Sequence, residues 1–102
     1  MAEISIPFDK KLIPPLLSGT KTVTSRSKPY GTAGDQFVVE GKRFELTNIV
    51  RMPLGVVYDR LWEPSGAEDG FDFIKIYNRL HPGKPYDPFR EVYVHFFKEV
   101  GA

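Results

Sequence analysis

Five short strand-like segments, separated by turns or short helices, narrow the folds open to this 102-residue chain. Some of them alternate polar and apolar residues and others are rich in β-branched ones, and both patterns predict β-strands. An open sheet leaves unpaired edge strands, and closure into a small barrel removes these edges. We therefore expect a small mixed β-barrel of about five strands, formed by residues 4–8, 22–26, 36–39, 43–50 and 91–98.

Three short helices interrupt the predicted strands and give the order β-α-β-β-β-α-α-β. The first is capped by Asp9 and runs to Leu17, where Pro14 and Pro15 either start the helix or break it into two turns. Apolar residues at helical spacing predict a second helix over 54–62. The third helix, over 71–80, has the strongest apolar stripe, made by Phe71, Phe73, Ile74, Ile76, Tyr77 and Leu80. The class is therefore α+β.

Length and composition predict one soluble domain that spans residues 1–102. No apolar stretch approaches the ~20 residues that a membrane helix needs, so we expect no membrane association. Cysteine is absent, and no basic segment followed by an apolar run marks a secretory signal at the start. These features favour a cytoplasmic protein.

Positive charge is concentrated near the start of the chain, although the net charge is only +1. Five basic residues and no acid lie between positions 10 and 34. Such a patch attracts phosphates or nucleic acid, or it is simply a hydrated basic face, and the composition favours neither. The five are Lys10, Lys11, Lys21, Arg26 and Lys28.

Residues 19–26, Gly-Thr-Lys-Thr-Val-Thr-Ser-Arg, place a lysine, an arginine and four hydroxyls between a predicted helix and a predicted strand. This composition suits an anionic ligand or a hydroxyl activated by a lysine. Strand alternation directs Thr22, Thr24 and Arg26 to one face. Lys21 can share their site only if it lies in the turn before the strand.

The same segment resembles the signature of the ASCH domain, which has a PUA-like β-barrel fold. The motif Gly-x-Lys-Thr-hydrophobic-Thr-x-Arg matches Gly19 to Arg26, and Gly34-Asp35 precedes the next strand as it does in that family. The order of later elements agrees too, including a helix that ends in His81-Pro82-Gly83. The resemblance extends over nearly the whole chain.

This resemblance implies a small protein that binds a modified pyrimidine nucleoside or RNA. It also implies that this protein is an amidohydrolase that deacetylates N4-acetylcytidine. The catalytic residues that it implies are Lys21, Thr24 and an acid at Glu68 or Asp69, with no metal or other cofactor. Thr22, Arg26, Lys28 and Tyr30 are candidate substrate-binding residues, Tyr30 because its ring could stack on a base. The alternatives are a non-catalytic RNA-binding module and a metal-independent ribonuclease.

Lysine chemistry sets the condition for the hydrolytic interpretation. A threonine hydroxyl needs a base, and a lysine serves as one only if burial or a neighbouring positive charge lowers its pKa towards neutrality. Arg26 is the expected neighbour of Lys21. The two histidines, His81 and His95, lack metal-ligand spacing, so we predict no metal site.

Overall fold

A computed structural model describes residues 2–101 of the chain. A 3₁₀ turn (Lys10–Leu12) leads into helix α1 (Ile13–Ser18) and strand β1 (Val23–Arg26). Strands β2 (Gln36–Val39) and β3 (Lys42–Pro53) form a hairpin, and helices α2 (Leu54–Arg60) and α3 (Gly70–Leu80) follow. Strand β4 (Glu91–Glu99) ends the described part. The predicted order of elements is confirmed from α1 onwards.

The four strands form one curled antiparallel sheet in the order β1-β4-β3-β2. Strand β4 is central and pairs with β1 on one side, where Thr24 lies opposite His95, and with β3 on the other. The sheet is a half-barrel, which agrees with the predicted α+β class and with a small PUA-like barrel.

The predicted first strand, residues 4–8, is reduced to an isolated parallel bridge between Glu3 and Gln36. Pro7 has no N–H to donate to a ladder, and Ile6 is buried in the core instead of continuing the pairing. The described residues therefore hold four strands, one fewer than the alternation predicts.

Two apolar clusters lie on opposite faces of β4, since Val92 and Val94 belong to one and Phe97 to the other. Helices α2 and α3 cover the first cluster, while the hairpin and α1 contribute to the second. A register shift between Leu46 and Asn48 lets β3 bend across both. Backbone pairing with β4 places β1 at the edge of the sheet.

The helix termini follow the sequence closely. Asp9 caps the 3₁₀ turn by accepting from the Lys11 N–H, and the two prolines occupy the first turn of α1. Gly19 ends α1 in the left-handed conformation at φ 90°. Phe71, the second residue of α3, does not belong to the buried stripe, since 80% of its surface is exposed. Phe73 and Tyr77 do face the core.

No helix within residues 2–101 is long and apolar enough to cross a bilayer.

Candidate functional site

A cavity of about 460 Å³ opens between the segment before α1, strand β1, the turn after α2 and one face of α3. Its wall is largely apolar, and a few polar side chains from β1 converge on it. This combination is typical of small-molecule sites. The lining includes Phe8, Leu12, Phe73, Ile76, Tyr77 and His81 beside Lys21, Thr24, Ser25, Arg26, Tyr30 and Ser65.

Lys21 is the most unusual residue of the cavity because its side chain is only 3% exposed. It lies in the turn that precedes β1, so strand alternation does not direct it away from Thr24. Its ammonium nitrogen Nζ donates to the Val23 carbonyl at 2.7 Å and to the Ser65 carbonyl at 2.8 Å. Gly66 packs against its stem, where a Cβ would lie 3.4 Å from Lys21 Cδ.

Burial lowers the pKa of Lys21 to about 7, and the positive charge of Arg26 acts in the same direction. A neutral amine has two N–H groups and one lone pair, and the two backbone carbonyls take both N–H groups. The neutral form of Lys21 is therefore fully satisfied and keeps a lone pair free to accept a proton.

Arg26 holds the hydroxyl of Thr24. Its Nη1 donates to Thr24 Oγ1 and to the Ser25 carbonyl, and its Nη2 donates to the Pro7 carbonyl at 2.6 Å. The guanidinium carbon also lies 5.4 Å from the centre of the Phe8 ring. Burial lowers the pKa of Arg26 from its ordinary value, although a guanidinium stays charged at neutral pH. A cation on Thr24 Oγ1 stabilises the alkoxide form of that hydroxyl.

His95 supports the site from behind β1, and it is fully buried. Its Nε2 accepts the Tyr30 N–H at 2.9 Å, so the proton of the neutral ring is on Nδ1. Nδ1 lies 3.2 Å from the Thr24 carbonyl and 3.0 Å from the Tyr93 carbonyl. Burial lowers the pKa of His95, which favours this neutral ring. One side chain thus fixes Thr24 and Tyr30 relative to β4.

Four of the residues predicted from the sequence meet at the cavity: Lys21, Thr24, Arg26 and Tyr30. Thr22 and Lys28 are exposed and do not line it, although the Lys28 ammonium lies 5.9 Å from the centre of the Tyr30 ring. Lys28 therefore lies close to Tyr30, which lines the cavity, whereas Thr22 is not part of the lining.

The two predicted acids lie outside the cavity. Asp69 caps α3 by accepting from the Asp72 N–H, and Glu68 lines a neighbouring cavity. Their positions follow from the turn before α3, where a carboxylate satisfies a free N–H at the start of the helix. The carboxylate that does line the site is Asp9, which forms an ion pair with Arg79 at 3.1 Å that lowers the pKa of Asp9.

The sequence interpretation missed Asp9, Ser65, Tyr77 and His81 as lining residues. The Tyr77 and His81 rings stack at 4.1 Å, and their spacing of four residues at the end of α3 is the sequence signal for that contact. Ser65 carries no such signal, because its carbonyl reaches Lys21 only through the fold.

A second, more open cavity of about 860 Å³ lies beside the first, and charges of both signs surround it. Lys11, Lys75 and Arg79 face it, as do Glu63, Glu68 and Asp72. Within residues 2–101, no group of three or more acidic or histidine side chains is arranged to hold a metal ion.

No known family model matches the sequence, and no protein of curated function matches it. Solved structures do share its fold. The hypothetical protein PH0355 superposes with a TM-score of 0.71 at 14% identity, over 98% of this chain and 100% of that one.

An ASCH domain from Lactobacillus crispatus JV V101 superposes with a TM-score of 0.60 at 13% identity, over 96% of this chain and 78% of that one. Protein EF3133 from Enterococcus faecalis V583 gives 0.59 at 18% identity, over 97% and 78%. The chain therefore has the fold of an ASCH domain, as the motif from Gly19 to Arg26 predicts.

Proposed function

We propose that this cavity hydrolyses an amide of a small planar compound, and that N4-acetylcytidine, a modified pyrimidine nucleoside, is the candidate substrate. The observation that carries the proposal is Lys21, a buried amine whose pKa is about 7 and whose two N–H groups are already bonded. Strongly shifted pKa values cluster at functional sites, which supports the proposal.

Thr24 is the proposed nucleophile. Lys21 accepts the Thr24 hydroxyl proton, and Thr24 Oγ1 attacks the amide carbonyl carbon. The leaving amine takes the proton back from Lys21 as the C–N bond breaks, which leaves an acyl ester on Thr24. Lys21 then accepts a proton from a water whose oxygen attacks the ester carbonyl carbon, and it returns that proton to Thr24 Oγ1 as the ester C–O bond breaks and the carboxylic acid is released. Arg26 Nη1 stabilises the negative charge that develops on Thr24 Oγ1.

No hydrogen bond joins Lys21 Nζ to Thr24 Oγ1 among the described residues. The first proton transfer therefore runs through a water, or follows a small movement of Lys21 when substrate binds. Because neither acid lines the cavity, no step is assigned to Glu68 or Asp69. Their predicted catalytic role is tested directly by Glu68→Gln and Asp69→Asn.

The walls of the cavity suit a planar ring. Phe8, Phe73 and the stacked Tyr77–His81 pair offer aromatic surface, and Tyr30 lies at the side that carries Lys28. Aromatic side chains stack on bases at about 1–3 kcal/mol each. A volume of about 460 Å³ accommodates one nucleoside and not a folded RNA.

Incubation with N4-acetylcytidine, followed by chromatography of the nucleosides, tests the proposal. We expect conversion to cytidine, loss of activity by about 10²- to 10⁴-fold in Lys21→Met and Thr24→Val, and partial recovery in Thr24→Ser. The rate should rise with pH to a plateau above about pH 7, since Lys21 must be neutral to accept a proton. Conversion by Lys21→Met at the wild-type rate contradicts the mechanism.

The second candidate function is RNA binding without catalysis. Exposed Lys10, Lys11 and Lys28 support it, because exposed cations can reach phosphates. Affinity for a short RNA should then fall steeply with salt, whereas turnover of a neutral nucleoside should hardly change. Chromatography of the same RNA also reports cleavage, which is the outcome of a ribonuclease.

We place all of these activities in the cytoplasm, in keeping with the absence of cysteine.

A further inference from the structure

Two basic side chains of the cavity, the buried Lys21 and the half-buried Arg26, have no acid bonded to them. The partners of Lys21 Nζ are two backbone carbonyls, and those of Arg26 are a hydroxyl and two backbone carbonyls. Neither residue forms an ion pair with any carboxylate within residues 2–101. Asp9, the acid on the wall, is already paired with Arg79. Buried cations are rarely left without a counter-charge.

Two serines that line the cavity also have hydroxyls without a partner. Ser25 Oγ and Ser65 Oγ are buried and make no hydrogen bond within the described part of the chain, although both residues line the cavity. Buried polar atoms without a partner are exceptional in folded proteins. A serine hydroxyl rotates freely enough to donate to a ligand that arrives beside it.

The protonated form of Lys21 adds a further free donor. An ammonium has three N–H groups, and the Val23 and Ser65 carbonyls take two of them. The third has no acceptor among the described residues. A ligand oxygen in the cavity would accept it and would also offset the repulsion between Lys21 and Arg26.

We propose that the cavity is also a binding site for a small oxyanion of the sulfate or phosphate type, held by Lys21, Arg26 and the hydroxyls of Ser25 and Ser65, and that the anion binds together with one proton. Bound anion converts the amine of Lys21 to an ammonium, so it stops Lys21 from acting as a base. A bound anion should therefore inhibit turnover of a neutral substrate in the same cavity. The binding itself does not depend on the proposed hydrolysis.

The other charged or titratable groups around Lys21 have identified positions. Asp9, Tyr30, Tyr77 and His81 line the cavity, Arg79 is paired with Asp9, and His95 lies behind Thr24. Burial raises the pKa of Tyr77, so that hydroxyl stays protonated at neutral pH. The His81 imidazole lies in the same wall and stacks on the Tyr77 ring.

Calorimetric titration with sodium sulfate tests the proposal, because sulfate itself does not titrate near neutrality. Ionic strength is held constant with sodium chloride, and two buffers of different ionisation enthalpy report the protons taken up. We expect affinity to fall about tenfold for each pH unit above about pH 7, with uptake of close to one proton per sulfate at about pH 8. Lys75→Gln, which removes an exposed charge of the neighbouring cavity, should behave like the wild type.

Variants separate the two parts of the proposal. Lys21→Met should bind sulfate more weakly and without pH dependence, and Arg26→Gln should bind at least tenfold more weakly at every pH. Arg26→Gln also loses the contacts to the Pro7 and Ser25 carbonyls, and far-ultraviolet circular dichroism shows whether the variant still folds. If it does not, Arg26→Lys, which keeps the positive charge, replaces it. Equal affinity of wild type and Lys21→Met at every pH overturns the proposal, and so does an absence of sulfate binding at about pH 6.

The source of the anion is resolved by comparing cytidine 5′-monophosphate with sulfate in the same titration. Tighter, pH-dependent binding of the nucleotide assigns the site to a phosphoryl group carried by a ligand. Equal binding assigns it to the free anion, and weaker binding of both than of cytidine overturns the proposal. The titration measures binding and not turnover, so its result is independent of the deacetylation assay. If the protein binds sulfate but does not deacetylate the nucleoside, only the proposed hydrolysis is refuted. Deacetylation that sulfate does not inhibit would remove only this inference.

Discussion

The two neighbouring cavities contain similar charged groups but differ in burial. In the first, Lys21 is enclosed and Arg26 is half-buried, and neither has an acid bonded to it. In the second, cations and acids are mixed, and most of them are exposed. Exposed charges are hydrated and screened, whereas an enclosed lysine is driven towards its neutral form. Burial, and not the number of charges, creates the candidate site.

The largest effect that separates the two cavities concerns stability and pH. The pKa of Lys21 is lower in the folded chain, about 7, than the 10.5 of an ordinary lysine, so the unfolded chain binds more protons between those values. Stability of the wild type should therefore rise with pH in that window, by about 2 kcal/mol between about pH 7 and about pH 9. Urea unfolding measures it.

Lys21→Met serves as the reference for that measurement, since it removes the titrating amine and keeps the length of the side chain. The unfolding free energy of the wild type minus that of Lys21→Met should increase with pH above about pH 6 and be constant below it. A constant difference across the whole range would mean that Lys21 titrates like an exposed lysine.

A smaller effect is expected at His95, which joins the first cavity to β4. His95→Phe removes the acceptor for the Tyr30 N–H and the donor for the Thr24 carbonyl, at a cost of about 1–3 kcal/mol. Thermal unfolding measures this loss. His95→Gln offers a carbonyl to the Tyr30 N–H and should lose less; equal losses would show that packing alone matters.

Asp69→Ala should cost about 1 kcal/mol because Asp69 caps α3, and it should leave deacetylation unchanged because Asp69 lies outside the cavity. Unfolding and activity are measured on the same preparation. Loss of activity with unchanged stability would restore Asp69 to the catalytic role that the sequence predicts.

The smallest effect is expected in the second cavity. Glu68→Gln and Lys75→Gln each remove one exposed charge and should change stability by less than about 0.5 kcal/mol, with no effect on sulfate affinity. Calorimetry checks both. A shift of sulfate affinity equal to that of Arg26→Gln would show that the two cavities act as one site.

Much of the fold could be predicted because local chemistry determined it. Gly19 ends α1, Asp9 caps the turn before it, and apolar spacing locates α3. The first strand was overestimated because alternation cannot report that Pro7 lacks a donor for the ladder or that Ile6 is buried in the core. The shift between Leu46 and Asn48 likewise depends on packing against β4.

The candidate site was predictable only where it lies in one segment. Lys21, Thr24 and Arg26 are close in sequence, so one motif identifies them all. Ser65 lies 44 residues from Lys21, and its carbonyl reaches Lys21 Nζ only because the turn after α2 folds over β1. The sequence alone does not place Glu68 and Asp69 relative to the cavity, because a carboxylate near a helix start serves as a cap as readily as it serves a reaction.

The central claim is that Lys21 titrates near neutrality, so that a large fraction of it is the neutral amine at physiological pH. Nuclear magnetic resonance of ¹³C-labelled lysine, with Lys21→Met used to assign the Lys21 signal, measures its titration directly. The account predicts a titration midpoint near 7, well separated from those of the other lysines, and an upward shift in sulfate. A midpoint of 10 or above would contradict it.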